Sequence, residues 1–225
     1  MRRLSLLVLV AIVAAGCGST KTVTVTTTRT VTEAVTTAPA QKTVRVYFMR
    51  DGKVGPVARQ LATVDRASLL AEVAQGPTSS ARAIGFTQGE AREVTAEQVY
   101  TLSQFDPAKP VTIGGNGYTR ADFEDLTPAI LVESPLPFAS VASPLRVWGT
   151  ANTFEATFDY ELLDASGKVL SHHFVTATSG SGTRGIFDFT VPFEAPNGLG
   201  KLVVFEESAA DGSRIHQVEI PLTLG

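Results

Sequence analysis

The chain contains very little cysteine, tryptophan and histidine: one, one and three residues among 225. The single cysteine, Cys17, excludes an intramolecular disulfide bond. Two histidines, His172 and His173, are adjacent, and neighbours on a strand point to opposite faces. The two therefore cannot jointly chelate one ion, and the third, His216, alternates with core positions, which favours a hydrogen-bonded, partly buried side chain. We predict no metal site and no cofactor.

Catalytic motifs are also missing. Ser171 lies beside His172, but no G-x-S-x-G elbow precedes a helix, as a hydrolase nucleophile would require. The glycine-rich run 180–185 lies between two predicted strands, which favours a hairpin loop over a phosphate cradle at a helix N-terminus. We predict no catalytic residues and no enzyme activity. An enzyme site assembled from scattered residues is the remaining alternative.

Excess positive charge is absent as well. The formal net charge is −3, and it falls to −5 without residues 1–16, which contain two arginines and no acids. A mildly acidic protein has no electrostatic reason to bind nucleic acid, so we expect no such partner.

The N-terminus contains the only long apolar run. Arg2 and Arg3 precede the run 4–13, and Ala14-Ala15-Gly16-Cys17 follows it. The run is too short to span a bilayer, and small residues suit a cleavage site. The segment resembles a bacterial lipoprotein signal peptide, with Ala14 where the family usually has Leu. The resemblance implies that residues 1–16 are removed and that Cys17 receives the lipid. The protein would then be anchored to the extracytoplasmic face of the cell membrane. An ordinary secretory signal is the alternative.

Residues 17–42 form the predicted tether, in which ten of the residues from Gly18 to Lys42 are threonine. So polar a segment cannot bury enough apolar surface to offset its ordering entropy, which predicts disorder. The alternating Val and Thr residues leave a second interpretation open, a β-rich edge that pairs with a partner.

Residues 43–127 show strand and helix signals in turn. Val44, Val46 and Phe48 alternate with polar residues, and Asp51-Gly52 is a hairpin turn signal. Helix caps follow, and Val99, Leu102 and Phe105 are spaced as one helical stripe. Further signals are the Asp65 cap, the Gly76-Pro77 stop, the Thr95/Gln98 capping box and the short strand 111–113.

These stretches resemble the GerMN domain of sporulation and spore germination proteins, in residues 44–48, 69–77, 98–105 and 119–125. The resemblance implies a small α+β domain. The family usually has a strand pair where this chain has only residues 86–94, so we expect a shortened sheet. Either its edge is open to a partner strand, or a loop covers it.

Residues 128–225 show about seven short strands with turns between them and no helix signal, which predicts an immunoglobulin-like β-sandwich. Trp148 is expected in its centre. The region resembles the immunoglobulin-like domain of bacterial spore germination proteins, through Ser134 to Pro137, Ser143 to Ala151, Phe189 to Phe193 and Phe205-Glu206. The short linker 126–129 predicts a restricted orientation of the two domains.

Acidic residues are the main candidates for a surface site. Glu155, Asp159 and Glu161 are expected on one strand face, with Asp188 nearby, and Glu206, Glu207 and Asp211 form a second group. A solvated sandwich face, which needs charge for solubility, is the favoured explanation. The alternative is a surface for a basic partner or for calcium.

Together these patterns predict an envelope lipoprotein with a non-catalytic binding or assembly role, linked to sporulation or germination in relatives. The expected partner is an envelope protein. The alternative is a module that binds cell-wall glycan, for which Tyr118, Trp148 and Phe154 are the candidate aromatic residues.

Overall fold

The computed structural model describes residues 40–194 and 197–225. The predicted signal peptide, Cys17 and all but the end of the predicted tether lie outside these residues. Residues 40–225 belong to one compact unit, which is mostly β. In the described ranges, no helix combines the length and the apolar character needed to cross a membrane.

We call residues 42–126 the N-terminal part and residues 130–225 the sandwich. The elements of the N-terminal part, in chain order, are β1 (Lys42–Arg50), β2 (Lys53–Leu61), α1 (Arg66–Gln75), α2 (Ser79–Ala83), β3 (Phe86–Thr87), α3 (Ala96–Leu102), β4 (Val111–Ile113), β5 (Asn116–Tyr118) and a 3₁₀ segment (Arg120–Leu126).

Strand β1 lies at the centre of a three-stranded sheet with the order β2-β1-β3. The predicted hairpin at Asp51-Gly52 is confirmed, because Arg50 pairs with Lys53 across the turn. The predicted alternation is also confirmed. Val44, Val46 and Phe48 are buried in one core together with α1. The other face of β1 carries Tyr47, which packs in a second core on α3 and the sandwich.

The helices begin where their capping residues predict. The Asp65 side chain accepts a hydrogen bond from the Ser68 backbone, and Thr95 and Gln98 form a reciprocal capping box. Gly76 ends α1 with a φ of 78°, a backbone conformation that favours glycine. The prediction that Phe105 continues the helical stripe of Val99 and Leu102 is wrong. Helix α3 ends at Leu102, and Phe105 is 65% exposed.

The segment after α2 forms a single short strand. Strand β3 contains only two residues, and Phe86 pairs with Arg50 of β1. Strand β2 is therefore at an outer edge of the sheet. In β2, the residue opposite Tyr47 of β1 is Pro56, which has no backbone N–H to donate to a further strand. Strands β4 and β5 pair only with each other.

In its described residues the sandwich contains eight strands, where about seven are predicted, and a short 3₁₀ turn at Phe154–Ala156. The strands are β6 (Ile130–Ser134), β7 (Ser140–Val141), β8 (Leu145–Ala151), β9 (Thr157–Asp164), β10 (Val169–Thr176), β11 (Gly185–Val191), β12 (Gly198–Glu207) and β13 (Arg214–Leu224).

Two sheets make up the sandwich, with the orders β10-β9-β12-β13-β7 and β11-β8-β6. Phe158, Tyr160 and Leu162 of β9 are buried between them, as the alternating pattern predicts. The core also contains Val147, Phe187 and Leu202. This arrangement confirms an immunoglobulin-like β domain in the C-terminal half of the chain.

Two predictions about side-chain position in the sandwich are wrong. Trp148 is only partly buried and lies on the outer face of β8, because its neighbour Val147 occupies the inward position. His216 does not continue the core face of β13. A register irregularity shifts this end of the strand, and His216 has a φ of 53° and a half-exposed side chain.

Candidate functional site

Two partly buried arginines and one buried glutamate form a cluster where the N-terminal part meets the sandwich. Glu133 of β6 is 2% exposed and accepts a hydrogen bond from Nη1 of Arg120. Arg45 of β1 places its Nε 3.3 Å from the other carboxylate oxygen of Glu133. Burying charges is costly unless they are paired, so each member depends on the others to remain in this position.

Aromatic rings enclose the cluster. The guanidinium carbon of Arg120 lies 4.6 Å from the centroid of the Tyr100 ring and 5.5 Å from that of Tyr47. The guanidinium carbon of Arg45 lies 4.8 Å from the centroid of the Trp148 ring. Full burial raises the pKa of Tyr47 above its usual range, and the nearby Glu133 carboxylate adds to this effect. We call these residues, with Arg45, Arg120 and Glu133, the junction network.

A second set of polar contacts fixes the linker. Arg184 donates to the Glu124 carboxylate at 2.9 Å and to the backbone oxygen of Pro128 at 2.9 Å. Asn152 donates from its backbone to Ala129 and from its side chain to Glu124. Partial burial on its own would raise the pKa of Glu124. Together, the hydrogen bonds from Arg184 and Asn152 outweigh the effect of burial, so the pKa of Glu124 is lowered. The glycine-rich run 180–185 therefore supplies a linker contact. It leads from β10 to β11, and because these strands belong to different sheets the predicted hairpin is wrong.

A cleft of about 190 Å³ lies beside this junction, between β2 of the N-terminal part and β6 and β13 of the sandwich. Its walls are mostly apolar. They are formed by Val54, Gly55, Pro56, Phe86, Ile130, Val132, Pro135, Pro137, Val218 and Ile220. Prolines occur on both walls, and a proline cannot donate to a strand ladder. The two facing edges therefore do not join into one sheet, which leaves a gap between them.

Charged and polar groups occupy the rim of the cleft. Arg50, Asp51 and Lys53 come from the β1–β2 hairpin, and His216 comes from the irregular end of β13. Arg50 donates through Nη1 to the backbone oxygen of Glu219 at 2.8 Å. The Asp51 side chain is 91% exposed, and its carboxylate lies 3.9 Å from Nε of Arg50.

A wider groove of about 660 Å³ lies farther along β2 and faces the segment 134–141. Pro135 and Pro137 contribute to both openings. Phe138 is half-exposed in this groove and has a φ of 67°, which is uncommon for a bulky residue.

The predicted acidic face is only partly assembled. Asp159 and Glu161 share the outer face of β9, but the prediction for Glu155 is wrong because β9 begins at Thr157. Glu155 lies in the preceding 3₁₀ turn with a φ of 52°. Asp188 is also not nearby, because it belongs to the other sheet, where it pairs with Arg146.

Side chains of the same sheet already contact the two remaining acids. Arg214 forms two hydrogen bonds with Glu161, at 2.6 and 3.0 Å, and these bonds raise the pKa of Arg214. Nε2 of His172 lies 3.4 Å from Asp159. Glu161 is therefore not an uncompensated charge on this face.

Two members of the second acidic group already have partners. Glu206 is buried and accepts a hydrogen bond from the Phe154 backbone at 2.9 Å, and it lies 2.8 Å from Nδ1 of His216. Asp211 accepts from Ser213 within its own turn, which lowers the pKa of Asp211. Across residues 40–194 and 197–225, no group of three or more His, Cys, Asp or Glu side chains could hold a metal ion.

The candidate aromatic residues for glycan binding differ in their surroundings. Phe154 is 58% exposed beside Asp159, Phe174 and Glu207. Tyr118 packs against Phe123, with ring centroids 6.5 Å apart, and Trp148 is covered by Arg45. Only Phe154 of the three is widely open to solvent.

Comparison with known proteins identifies the sandwich. Residues 129–213 match the Gmad2 family, described as the immunoglobulin-like domain of bacterial spore germination. No curated protein matches the chain. The crystal structure of CopC from Methylosinus trichosporium OB3b matches 42% of this chain and 92% of its own, at 17% identity and a TM-score of 0.28.

The Gmad2 region contains Glu133 and Trp148, which sequence patterns did not identify as junction residues. A glutamate in the apolar strand ILVES was the available signal for Glu133, because a buried acid needs a partner. The rim residues of the cleft carried no such signal. Arg50 and Lys53 flank a hairpin turn, where charged residues are common.

Proposed function

We propose that this chain is a membrane-anchored, extracytoplasmic lipoprotein with a non-catalytic binding or assembly role in the cell envelope. The Gmad2 match carries the proposal, because that family is described by its part in bacterial spore germination. We infer the same process for this chain. The residues before Thr43 support the anchor, with residues 1–16 as the lipoprotein signal, Cys17 as the lipidated residue and residues 17–42 as the tether.

The N-terminal part supports the same interpretation. Its caps, its hairpin and its short strand β3 are consistent with a shortened GerMN-like α+β domain over residues 43–127. The junction network supports a structural role for its charged groups, because they contact each other and the aromatic rings around them. A cleft held between two parts at fixed geometry is a common place for a ligand.

Membrane fractionation tests the anchor. We expect the wild-type chain in the membrane fraction, and we expect Cys17→Ser to remain unprocessed and unlipidated. Unchanged processing of the Cys17→Ser chain would contradict the lipoprotein assignment. The binding role is tested by crosslinking in cells followed by purification of the full chain, for which we expect one or a few specific envelope proteins.

Binding of cell-wall glycan is the second candidate, favoured by the exposed ring of Phe154 beside Phe174. Aromatic rings that are open to solvent are the groups on which sugars stack. Sedimentation with isolated cell wall distinguishes the two roles. Retention of the wild-type chain and its loss on Phe154→Ser would support glycan binding, with Phe105→Ser, another exposed phenylalanine, as the control. Absence of retention would leave the protein partner as the binding role.

A further inference from the structure

The cleft between β2 and β6 has a volume that limits what it can hold. Its volume is about 190 Å³. A dry protein cavity of about 150 Å³ binds benzene, so this cleft has room for one apolar group of phenyl or leucyl size. Its apolar walls would favour such a group, because transfer of apolar surface out of water is favourable.

The walls do not favour addition of a whole strand. Pro56 lies in β2 and Pro135 directly follows β6, and neither residue has a backbone N–H. A strand inserted here would meet a broken ladder on both sides. The cleft therefore suits a side chain that enters from the rim.

The rim determines the charge of the ligand. Arg50 uses one guanidinium donor for Glu219 and keeps further N–H groups, while Lys53 is its register partner across the hairpin. Lys53 is exposed and donates to the backbone oxygen of Asp125 at 2.6 Å. The acid of this rim, Asp51, has a 91% exposed side chain and lies 3.9 Å from Nε of Arg50, and His216 contacts Glu206. Two cations next to an apolar cavity complement a carboxylate attached to an apolar group.

We propose that the cleft binds the C-terminal residue of a partner peptide. The apolar side chain of that residue fills the cavity, and its α-carboxylate contacts Arg50 and Lys53. Charged hydrogen bonds of this kind and a preformed pocket are a recurring way to capture a chain terminus. This inference rests on the proposed binding role and names the chemistry that the partner must present.

Calorimetric titration of the full chain in lipid nanodiscs tests the proposal, with empty nanodiscs as the blank. The probes are acetyl-Gly-Phe with a free carboxylate, the same peptide as its amide, acetyl-Gly-Gly and phenylacetate. We expect saturable binding of acetyl-Gly-Phe, and binding at least about tenfold weaker for the amide and for acetyl-Gly-Gly. Equal affinity for acid and amide, or no saturable binding, would overturn the proposal. Phenylacetate binding as tightly as the peptide would overturn the peptide as the occupant.

Substitutions of residues that line the cleft test whether the peptide binds there. Arg50→Gln and Lys53→Gln should each weaken the acid at least about fivefold and leave the amide unchanged. Lys109→Gln, an exposed lysine that does not line the cleft, is the matched control. Val218→Phe should fill the cavity and reduce binding of both peptides. Because thermal unfolding of each variant is measured in parallel, loss of binding is separated from loss of folding.

The proposed function can survive failure of this inference. If a crosslinked partner remains with Arg50→Gln in cells while the titrations show no binding, the binding role stands and the cleft is not its site. If no partner is found but acetyl-Gly-Phe binds as described, the cleft assignment stands and the assembly role fails.

Discussion

The guanidinium carbon of Arg45 lies 4.8 Å from the centroid of the Trp148 ring, and this contact joins β1 to the outer face of β8. Trp148 is the only tryptophan, so its emission reports on this contact. A cation–π contact contributes about 0.5–1 kcal/mol at an exposed site and about 2 kcal/mol when it is desolvated. The pair therefore links the folding of the N-terminal part to that of the sandwich and provides its own spectroscopic probe.

Replacing Arg45 with Met should change the wavelength of the Trp148 emission maximum, because the indole ring loses the guanidinium charge beside it. It should also reduce the free energy of unfolding of residues 40–225 by about 1–3 kcal/mol, since the Glu133 carboxylate loses a neighbour. Urea unfolding followed by fluorescence measures both effects. Arg146→Met is the control, because Arg146 is also on β8 but forms an exposed pair with Asp188. An unchanged emission maximum in Arg45→Met would contradict the contact between Arg45 and Trp148.

Glu133→Gln should destabilise residues 40–225 by about 3–5 kcal/mol, the usual cost of leaving buried charges without their partner. Two arginines, Arg45 and Arg120, would then lack their shared carboxylate. Chemical unfolding gives the difference. Glu219→Gln removes a carboxylate from a half-exposed pair with Lys201 and should cost no more than about 1 kcal/mol. Similar losses of unfolding free energy in the two variants would show that the Glu133 carboxylate does not stabilise the junction more than an exposed ion pair does.

Stability should fall as the pH rises above 10. The raised pKa of Tyr47 means that the folded chain keeps this phenol neutral while the unfolded chain ionises it at its ordinary value of 10.0. The stabilising contribution is therefore complete below pH 10 and is lost as the pH rises toward the folded pKa. Unfolding free energies measured from pH 8 to 11 should decline less steeply for Tyr47→Phe than for the wild type. If unfolding free energy declined equally steeply with pH in the two chains, Tyr47 would not be a source of the loss of stability at high pH.

The linker contact should weaken in acid. Glu124 has a lowered pKa in the folded chain, so its contribution is present above the ordinary value of 4.5 and is lost as the pH falls below it. Arg184→Gln removes the main partner and should make stability less dependent on pH between 5 and 3. We expect the difference between the two chains to shrink as the pH falls. A difference that is constant with pH would show that the Glu124 carboxylate does not act through Arg184.

Much of the fold could be predicted because its signals are local. The alternation in β1 and β9, the Asp51-Gly52 turn and the Asp65 cap each involve residues within a few positions of one another. The prediction failed where a local pattern competed with a backbone irregularity. Glu155 and His216 both have a positive φ, which removes their side chains from the face that alternation assigns.

The junction could not be predicted for a different reason. Arg45 and Glu133 are far apart in the sequence, and nothing in either strand indicates which partner the charged side chain will meet. The immunoglobulin-like sandwich pattern predicts Trp148 in the centre of the domain. Trp148 lies on the outer face because side chains alternate along β8 and Val147 points inward. There it contacts Arg45 of the N-terminal part.

A distance measurement between the two parts tests the rigid junction most directly. Residues 40–225 contain no cysteine, so nitroxide labels can be attached at Ala74→Cys on α1 and Ala165→Cys in the β9–β10 turn, both of which are exposed. Pulsed electron paramagnetic resonance should give one narrow distance distribution, and adding Glu133→Gln should broaden it. A broad or bimodal distribution in the chain with Glu133 intact would contradict a fixed arrangement of the N-terminal part on the sandwich.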